Sequence, residues 1–210
     1  MTTVAAVILA GGRSSRMGHD KALIALSPGA ETLIQRVCRV ALACADGVTV
    51  ITPWGDRYRP LLPASVKVLV EQSALNPERS PGPVVALGQA LSELRAAAPV
   101  PDWVLLLACD MPNLSAAVLG QWRDQLAEVA PEAVAYLPQR QGRWEPLAGF
   151  YRVSALADLQ TYIDSGGRSF QPWLNQRPVT PIALTKQTAA TLINLNTPTD
   201  LAQWQRQATP

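Results

Sequence analysis

The sequence is short of the side chains on which much catalysis and metal binding depends. Its 210 residues include one histidine and three cysteines, and only 16% of them are charged. The cysteines, Cys38, Cys44 and Cys109, have no C-x-x-C spacing and no histidine cluster beside them, which argues against a zinc site and a redox pair. Because they lie in apolar surroundings, we expect buried free thiols in a reducing compartment.

Long runs of one residue class are missing as well. There is no run of five or more like charges, and the net charge is +2, so neither nucleic acid nor a membrane surface is indicated as a partner. No stretch approaches the roughly 20 apolar residues of a membrane span, and no positively charged segment precedes the first apolar run. We therefore expect a cytoplasmic protein with a single domain over residues 1–210.

What the sequence does contain is an alternation of apolar runs and amphipathic segments. The run at 103–109 is continuously apolar, as in a central strand that is covered on both faces. Strands separated by helices indicate βαβ units. The predicted fold is therefore α/β, with three α/β/α layers around a mostly parallel, Rossmann-like sheet. Its predicted strands lie at 4–10, 48–51, 66–70 and 103–109, and its helices at 31–44, 84–98 and 115–129.

The C-terminal half has a less regular pattern. A polar turn at 139–143 separates two apolar runs, which predicts a small antiparallel addition to the sheet. Thr197, Pro198 and Asp200 form the start signal of a final helix. The other predicted elements are strands at 133–137, 146–152 and 192–196, and a helix over 154–165.

The first predicted strand leads into a glycine turn followed by cations. Gly11 and Gly12 come directly after the strand, and Arg13, Arg16 and Lys21 follow within nine residues. The turn lacks both the Gly-x-Gly-x-x-Gly fingerprint of dinucleotide sites and the Gly-Lys-Ser/Thr ending of NTPase loops. A tight turn would explain the glycines alone, but it does not explain the cations. We therefore predict a phosphate site at the carboxyl end of this strand.

Asp110 follows the central apolar run and belongs to the same edge of the sheet. An aspartate just before Pro112 can serve simply to turn the chain. Beside a polyphosphate site, however, Mg²⁺ is typically held by one or two carboxylates and phosphate oxygens. We therefore predict that Asp110 is a metal ligand. His19, the only histidine, is interpreted as a solvated loop residue rather than a general base.

Four further segments can be compared with known families, in this order along the chain: Leu-Ala-Gly-Gly-x-Ser-x-Arg-Met-Gly-x-Asp-Lys at 9–21, Leu-Leu-Ala-Cys-Asp-Met-Pro at 106–112, Pro-Leu-Ala-Gly-Phe-Tyr at 146–151 and Asn-Leu-Asn-Thr-Pro-x-Asp-Leu at 194–201. Together they closely resemble the molybdenum cofactor guanylyltransferases, the MobA family of GT-A-like nucleotidyltransferases. The resemblance spans nearly the whole chain. Sugar-phosphate nucleotidyltransferases tend to carry Gly-x-Gly-Thr-Arg-Leu at the first segment, and molybdenum cofactor cytidylyltransferases tend to read Leu-Ala-Ala-Gly there.

This resemblance implies transfer of GMP from GTP to molybdopterin-bound molybdenum, with release of pyrophosphate. It implies that Arg16, Lys21 and Asp110 are catalytic, with Mg²⁺ on Asp110. Asn194 or Asn196 would assist the metal or substrate, or would merely turn the chain into the last helix. Transient contacts with proteins that deliver molybdopterin or mature molybdoenzymes are also expected. The implied nucleotide-binding residues are Leu9, Ala10, Gly11, Gly12, Arg13, Lys21, Thr52, Gln72 and Asp110.

Two of these positions depart from the family pattern. Thr52 stands where the family often has Asn, and Gln72 stands where it often has Asp. The alternatives are therefore a related enzyme that uses CTP or acts on a sugar phosphate, or a non-catalytic nucleotide-binding module of the same fold. Residues 139–144 and Arg168 are expected to face the second substrate.

Overall fold

The computed structural model describes residues 2–12, 20–27, 29–72 and 82–208. Strands and helices alternate through the first half of the chain, as the sequence predicts. These elements are β1 (Val4–Leu9), α1 (Leu33–Leu42), β2 (Gly47–Thr52), α2 (Gly55–Tyr58), β3 (Val66–Val70), α3 (Pro83–Arg95), β4 (Trp103–Ala108) and α4 (Ala116–Asp124).

The second half contributes shorter elements. They are β5 (Ala135–Arg140), β6 (Arg143–Trp144), β7 (Ala148–Arg152), α5 (Leu156–Asp164), α6 (Phe170–Leu174), β8 (Val179–Ile182), α7 (Lys186–Ala190) and α8 (Pro198–Ala208). Among the described residues, no helix combines the length and the apolarity that crossing a bilayer requires.

The strands of the described chain form one eight-stranded mixed sheet. Its order is β3-β2-β1-β4-β7-β5-β6, with β8 beside β5. The pairs β3–β2, β2–β1 and β1–β4 are parallel, and β7 is antiparallel to both of its neighbours, β4 and β5. The predicted α/β fold, mostly parallel with a small antiparallel addition, is confirmed.

Helices pack on both faces of this sheet. Because side chains alternate along a strand, Ile8 and Leu107 point to one face and Val7 and Leu106 to the other. The first face packs against α1 and α4, and the second against α3 and α5. The central strands are therefore buried on both sides, which explains the continuous apolar character of β4.

Local signals fix where the helices begin. Thr32 and Gln35 form a capping box at the start of α1, and the Ser115 side chain caps α4. Gly82 precedes α3 with φ of +93°, a conformation that favours glycine. Pro83 then occupies the first turn of α3, where the missing N–H is not needed.

The prediction of a strand at 192–196 is wrong. This segment forms no strand; instead, the Leu195 N–H donates to the Asp110 carbonyl oxygen at 2.9 Å. Leu195 packs with Leu26 and Leu33, and Trp204 of α8 donates to Asn113 at 2.8 Å. The apolar residues at 192 and 195 therefore anchor a connecting segment against the end of β4 rather than joining the sheet.

Candidate active site

A cleft of about 350 Å³ opens at the carboxyl ends of the parallel strands. Such an edge is where open α/β sheets bind ligands. The ends of β1 and β4, the turn before α1 and the start of α3 all contribute to it. Its lining comprises Leu9, Ala10, Gly11, Gly12, Asp20, Lys21, Ala22, Ile51, Tyr58, Glu71, Gly82, Pro83, Ala86, Ala108, Cys109, Asp110, Leu147 and Asn196.

Most of the predicted site residues come together in this cleft. The structure brings the end of β1, Lys21 and Asp110 to one lining, although they lie far apart in the sequence. Arg13 and Arg16, and His19 with them, lie outside the described residues. Thr52 and Gln72 are not among the described residues that line the cleft.

Lys21 connects two of the lining segments. Its Nζ donates to Asn196 Oδ1 at 3.0 Å and lies 3.4 Å from Asp110 Oδ2. The Lys21 and Asp110 side chains are only 16% and 19% exposed. A largely buried ammonium group in a cleft that two glycines also line is suited to binding the phosphates of a nucleotide.

Asp110 is a carboxylate in an environment that disfavours its charge. Burial raises its pKa above the ordinary value, and the nearby Lys21 ammonium only partly opposes this effect. Within the described part of the chain, neither Asp110 Oδ1 nor Asn194 Oδ1 has a hydrogen-bond partner, although both atoms are buried. Carboxylate and amide oxygens are ligands that hard divalent cations prefer. Asp110, which lines the cleft, therefore fits a divalent metal, whereas Asn194 is not among the described residues of the lining.

This metal site would not be complete from protein side chains. Within the described ranges, no three His, Cys, Asp or Glu side chains cluster as a metal site. Mg²⁺ usually keeps several waters and is bound through one or two carboxylates together with substrate phosphates. Asp110, with an asparagine on the neighbouring segment, is consistent with that mode of binding.

Asp20 organises the turn that carries Lys21. Its Oδ1 accepts the Ala22 N–H at 3.1 Å and so caps the short helical turn Lys21–Leu23. Its Oδ2 accepts the Tyr58 hydroxyl at 2.7 Å and the Arg57 guanidinium at 2.8 Å. The sequence offered no sign of Tyr58, because α2 is only four residues long and shows no helical period.

Of the residues at the ends of β2 and β3, Glu71 lines the described cleft, whereas Thr52 and Gln72, which the resemblance implies for nucleotide binding, do not. Thr52 is fully buried, and its hydroxyl donates to the Ala10 carbonyl at 3.0 Å and accepts the Trp54 N–H at 3.1 Å. Gln72 is exposed, whereas its neighbour Glu71 is buried and lines the cleft. The acidic group at this end of β3 is therefore Glu71.

The cysteines are free, as expected, and Cys38 and Cys44 are buried. Cys109 is half-buried in the cleft lining, and burial raises the pKa of its thiol to about 12. Because a reactive cysteine needs a lowered pKa, Cys109 is suited to packing rather than to nucleophilic attack.

The residues expected to face a second substrate make contacts of their own. Arg140 donates to the Ala189 carbonyl at 3.1 Å, and the Trp144 indole donates to Asn175 at 3.1 Å. The Arg168 guanidinium donates to the carbonyls of Ile163 and Gly167. None of these side chains is among the described residues of the cleft lining, so their role toward a second substrate stays a prediction.

Comparison with known proteins identifies the family of this chain. A family model described as "MobA-like NTP transferase domain" matches residues 6–179. The chain belongs to the MobA-like NTP transferase family. The family resemblance identified from the sequence is thereby confirmed, and nucleotidyl transfer is the activity of this family.

Two curated relatives of the family carry the same printed description, "Probable molybdenum cofactor guanylyltransferase". The relative from Nostoc sp. is 44% identical over 202 residues, which cover 96% of this chain and 90% of that protein. The relative from Synechococcus elongatus is 41% identical over 201 residues, which cover 96% of each protein.

Solved structures show that the fold is shared more widely. Molybdopterin-guanine dinucleotide biosynthesis protein A from Archaeoglobus fulgidus superposes with a TM-score of 0.75 at 20% identity, covering 98% of each chain. The 4-diphosphocytidyl-2C-methyl-D-erythritol synthase of Anaerococcus prevotii superposes at 0.69 with 10% identity, over 100% of this chain and 97% of that one. At such identities the likeness concerns the fold alone, so substrate choice must be argued from the site.

Proposed function

We propose that this MobA-like protein transfers GMP from GTP to the terminal phosphate of a molybdopterin-type cofactor and releases pyrophosphate. One observation carries the proposal: a largely buried lysine and a largely buried aspartate lie 3.4 Å apart in the cleft that Gly11 and Gly12 also line. The printed descriptions of the relatives from Nostoc and Synechococcus support the same reaction. The free cysteines support a reducing compartment, the cytoplasm.

The chemistry does not call for a general base. The acceptor is a phosphate monoester, whose second pKa is about 6, so it is mostly ionised near neutral pH. Its oxygen attacks the α-phosphorus of GTP, a P–O bond forms, and the bond to the leaving pyrophosphate breaks. The protein's task is to bring these anions together and to stabilise the charge on the leaving group.

The residues of the cleft divide this task. The amides of Gly11 and Gly12 cradle phosphates, and the Lys21 ammonium offsets the charge that grows on the leaving pyrophosphate. In the same proposal Arg13 and Arg16 add positive charge from the loop. Asp110, with Asn194 or Asn196, holds Mg²⁺, which when bound acts as a Lewis acid on the phosphoryl oxygens.

Glu71 is the group that we assign to the base. Guanine presents N1–H and N2–H₂ donors, and one carboxylate can accept a hydrogen bond from each of them. Glu71 is buried and lines the cleft beside Gly11. It takes the place that sequence comparison gives to Gln72, while Thr52 supports the turn through Ala10. CTP and sugar-phosphate acceptors remain the alternatives to be tested.

The test is a panel of nucleotides and acceptors scored by pyrophosphate release. GTP, CTP and ATP are each supplied with Mg²⁺, with and without molybdopterin or a sugar phosphate. We expect release only with GTP and molybdopterin. Release with CTP or with a sugar phosphate would replace the proposed substrates, and nucleotide binding without any turnover would favour the non-catalytic module.

A variant of Lys21 tests the site itself. Lys21→Ala should remove at least ~2.7 kcal/mol of transition-state stabilisation, by analogy with the loss of an oxyanion donor, which is about a hundredfold in kcat/KM. Lys67→Ala, which removes a lysine that is 64% exposed on β3, is the matched control and should keep wild-type turnover. Near-normal pyrophosphate release by Lys21→Ala would contradict the site assignment.

A further inference from the structure

We propose that Tyr58 is a positioning residue for nucleotidyl transfer: its hydroxyl fixes Asp20, and Asp20 in turn fixes the turn from which Lys21 reaches the phosphates. The inference rests on the proposed function, because it gives Lys21 the role assigned there. It adds a residue that no sequence motif indicates. The observations that carry it are the contacts of Asp20, the burial of Tyr58 and the position of α2.

Asp20 acts on the protein rather than on a ligand. Both of its carboxylate oxygens accept hydrogen bonds from the chain, Oδ1 from the Ala22 N–H and Oδ2 from Tyr58 and Arg57. The capped turn begins at Lys21, the next residue. Fixing this carboxylate therefore fixes the backbone from which the lysine side chain extends toward Asp110 and Asn196.

Tyr58 is the stronger of the two anchors on Asp20 Oδ2. Its side chain is fully buried, whereas the Arg57 side chain is 48% exposed. Exposed ion pairs contribute little because water screens them. Burial and the neighbouring Asp20 carboxylate raise the pKa of Tyr58 above its ordinary value, so the phenol stays a hydrogen-bond donor at neutral pH. Its ring packs edge-on against Trp54 at 6.4 Å.

The end of β2 and the following helix α2 bind the two described segments that flank residues 13–19. Before the loop, the Thr52 hydroxyl donates to the Ala10 carbonyl at 3.0 Å. After the loop, Tyr58 donates to Asp20 at 2.7 Å. Thr52 thus links the first flank to β2, an interior strand of the sheet, and Tyr58 links the second flank to α2, which follows that strand.

Position matters for Lys21 because its side chain is long. Four carbons separate the ammonium from the backbone, so a small shift of the turn moves the charge by a comparable distance. A misplacement of about 1 Å can cost a hundredfold in rate. Because Arg57 still binds Asp20 when the Tyr58 hydroxyl is removed, we expect a partial loss, roughly tenfold in kcat.

The first measurement is the kinetics of Tyr58→Phe. The expected result is a kcat about tenfold lower with the KM for GTP changed less than about twofold, because the ring still fills its place and the glycine turn still binds phosphates. Tyr136→Phe is the matched control: it also removes a buried hydroxyl that donates to one side chain, Gln125 at 2.5 Å, outside the cleft lining. Unchanged kcat in Tyr58→Phe would overturn the inference.

The second measurement asks whether Tyr58 acts through Lys21. In a Lys21→Met background the lysine is gone, so adding Tyr58→Phe should lower kcat by less than about twofold. An equal tenfold loss in both backgrounds would mean that Tyr58 supports the fold in general, and would overturn the inference. Should Tyr58→Phe fail to fold, Asp20→Asn, which weakens the same contacts, is carried through the same cycle with the same expectation.

The two proposals fail in different ways. A Lys21→Met variant with wild-type turnover would contradict the proposed function, whatever Tyr58 does. A Lys21→Met variant that is strongly impaired, beside a Tyr58→Phe variant with normal kcat, would leave the proposed function in place and remove only the positioning role.

Discussion

The carboxylates at the two ends of the central strands differ in how many hydrogen bonds the chain provides for them. At the amino ends of β1 and β4, Asp46 accepts the Val4 N–H at 2.8 Å and binds the Arg123 guanidinium at 2.8 and 2.9 Å. Asp102 accepts both the N–H and the hydroxyl of Thr3, at 2.8 and 2.9 Å. Each of these two carboxylates accepts at least two hydrogen bonds from donors of the chain itself.

At the carboxyl ends of the same strands, the described residues provide a hydrogen-bond donor for only one of the two carboxylate oxygens of Asp110. One of its oxygens faces Lys21 at 3.4 Å, and the other has no hydrogen-bond donor among the described residues. The pKa values reflect this contrast. The Thr3 donors lower the pKa of Asp102, and at Asp46 the Val4 N–H and Arg123 outweigh burial and lower it as well, whereas burial raises the pKa of Asp110.

This contrast indicates that the carboxylates at one end of these strands stabilise the fold, while the carboxylate at the other end belongs to a functional site. The amino edge places its charges where the protein's own donors satisfy them, so they stabilise the fold. The carboxyl edge buries a charge at a cost, which is a mark of a functional site. In the proposed function, the metal and the phosphates supply the missing partners of Asp110.

The largest expected effect comes from neutralising Asp110. Asp110→Asn should lower Mg²⁺-dependent pyrophosphate release by about a thousandfold, the upper range for losing one electrostatic contact at an active site. It should not lower the unfolding temperature, because an amide is cheaper to bury than a carboxylate. Turnover and thermal unfolding at neutral pH are measured on the same preparation.

Asp46→Asn is the matched variant at the other edge, and the reverse pattern is expected for it. Turnover should stay normal and the unfolding temperature should fall, because the Arg123 guanidinium loses its ion pair. If Asp110→Asn had a lower unfolding temperature than the wild type, then Asp110 would stabilise the fold as Asp46 does, and the comparison would be wrong.

A second effect, of intermediate size, concerns the close approach of Gly11, which follows β1, to Glu71, which follows β3. A Cβ atom at position 11 would lie 2.9 Å from Glu71 Oε2 and 3.4 Å from Pro53 Cδ. Because the atom met is the end of a flexible side chain, Gly11→Ala should cost about 1 kcal/mol in the free energy of unfolding, at the low end of the range for overpacking. It should also weaken GTP binding, because the Glu71 carboxylate must move.

Gly12→Ala is the natural control for this substitution. No described atom lies within 4 Å of a Cβ at position 12, so we expect the free energy of unfolding to change by less than about 0.5 kcal/mol. Urea unfolding and GTP titration of both variants decide the matter. Equal stabilities of the two variants would show that the Glu71 carboxylate yields freely.

The sequence predicts most of the sheet because its strands are strongly apolar. The predicted strands at 66–70 and 103–109 match β3 and β4 to within one residue. The elements of the second half are harder: α6, α7 and β8 have only four or five residues, too few to show a period. Residues 192–196 have strand-like composition, but they meet the end of β4 through a hydrogen bond to the Asp110 carbonyl rather than through a strand ladder, and no local pattern reveals this contact.

The sequence predicts those residues of the candidate site that belong to a motif. It does not predict those whose position depends on tertiary contacts. Lys21 and Asp110 follow from a glycine turn and an apolar strand, and both line the cleft. Glu71 and Gln72 are neighbours at the end of β3, and only the exact direction of the chain decides which one faces inward. Tyr58 cannot be predicted from the sequence, because its part in the site depends on a hydrogen bond to Asp20, which is 38 residues away in the chain.

The smallest expected effect tests the amino edge by its dependence on pH. Hydrogen bonds from Thr3 lower the pKa of Asp102 below its ordinary value of 3.8. The ionised carboxylate therefore stabilises the folded state fully above pH 3.8, and this contribution is lost as the pH falls through the lower, folded-state value. Asp102→Asn should cost less than about 1 kcal/mol near pH 7, since the site is exposed, and this deficit should shrink below pH 3.8. Urea unfolding at several pH values measures it, with turnover at pH 7 expected to be unchanged. A deficit that stayed constant into the acid range would mean that the stabilisation comes from hydrogen-bond geometry rather than from the charge, and the amino edge would then differ from Asp110 in its donors alone.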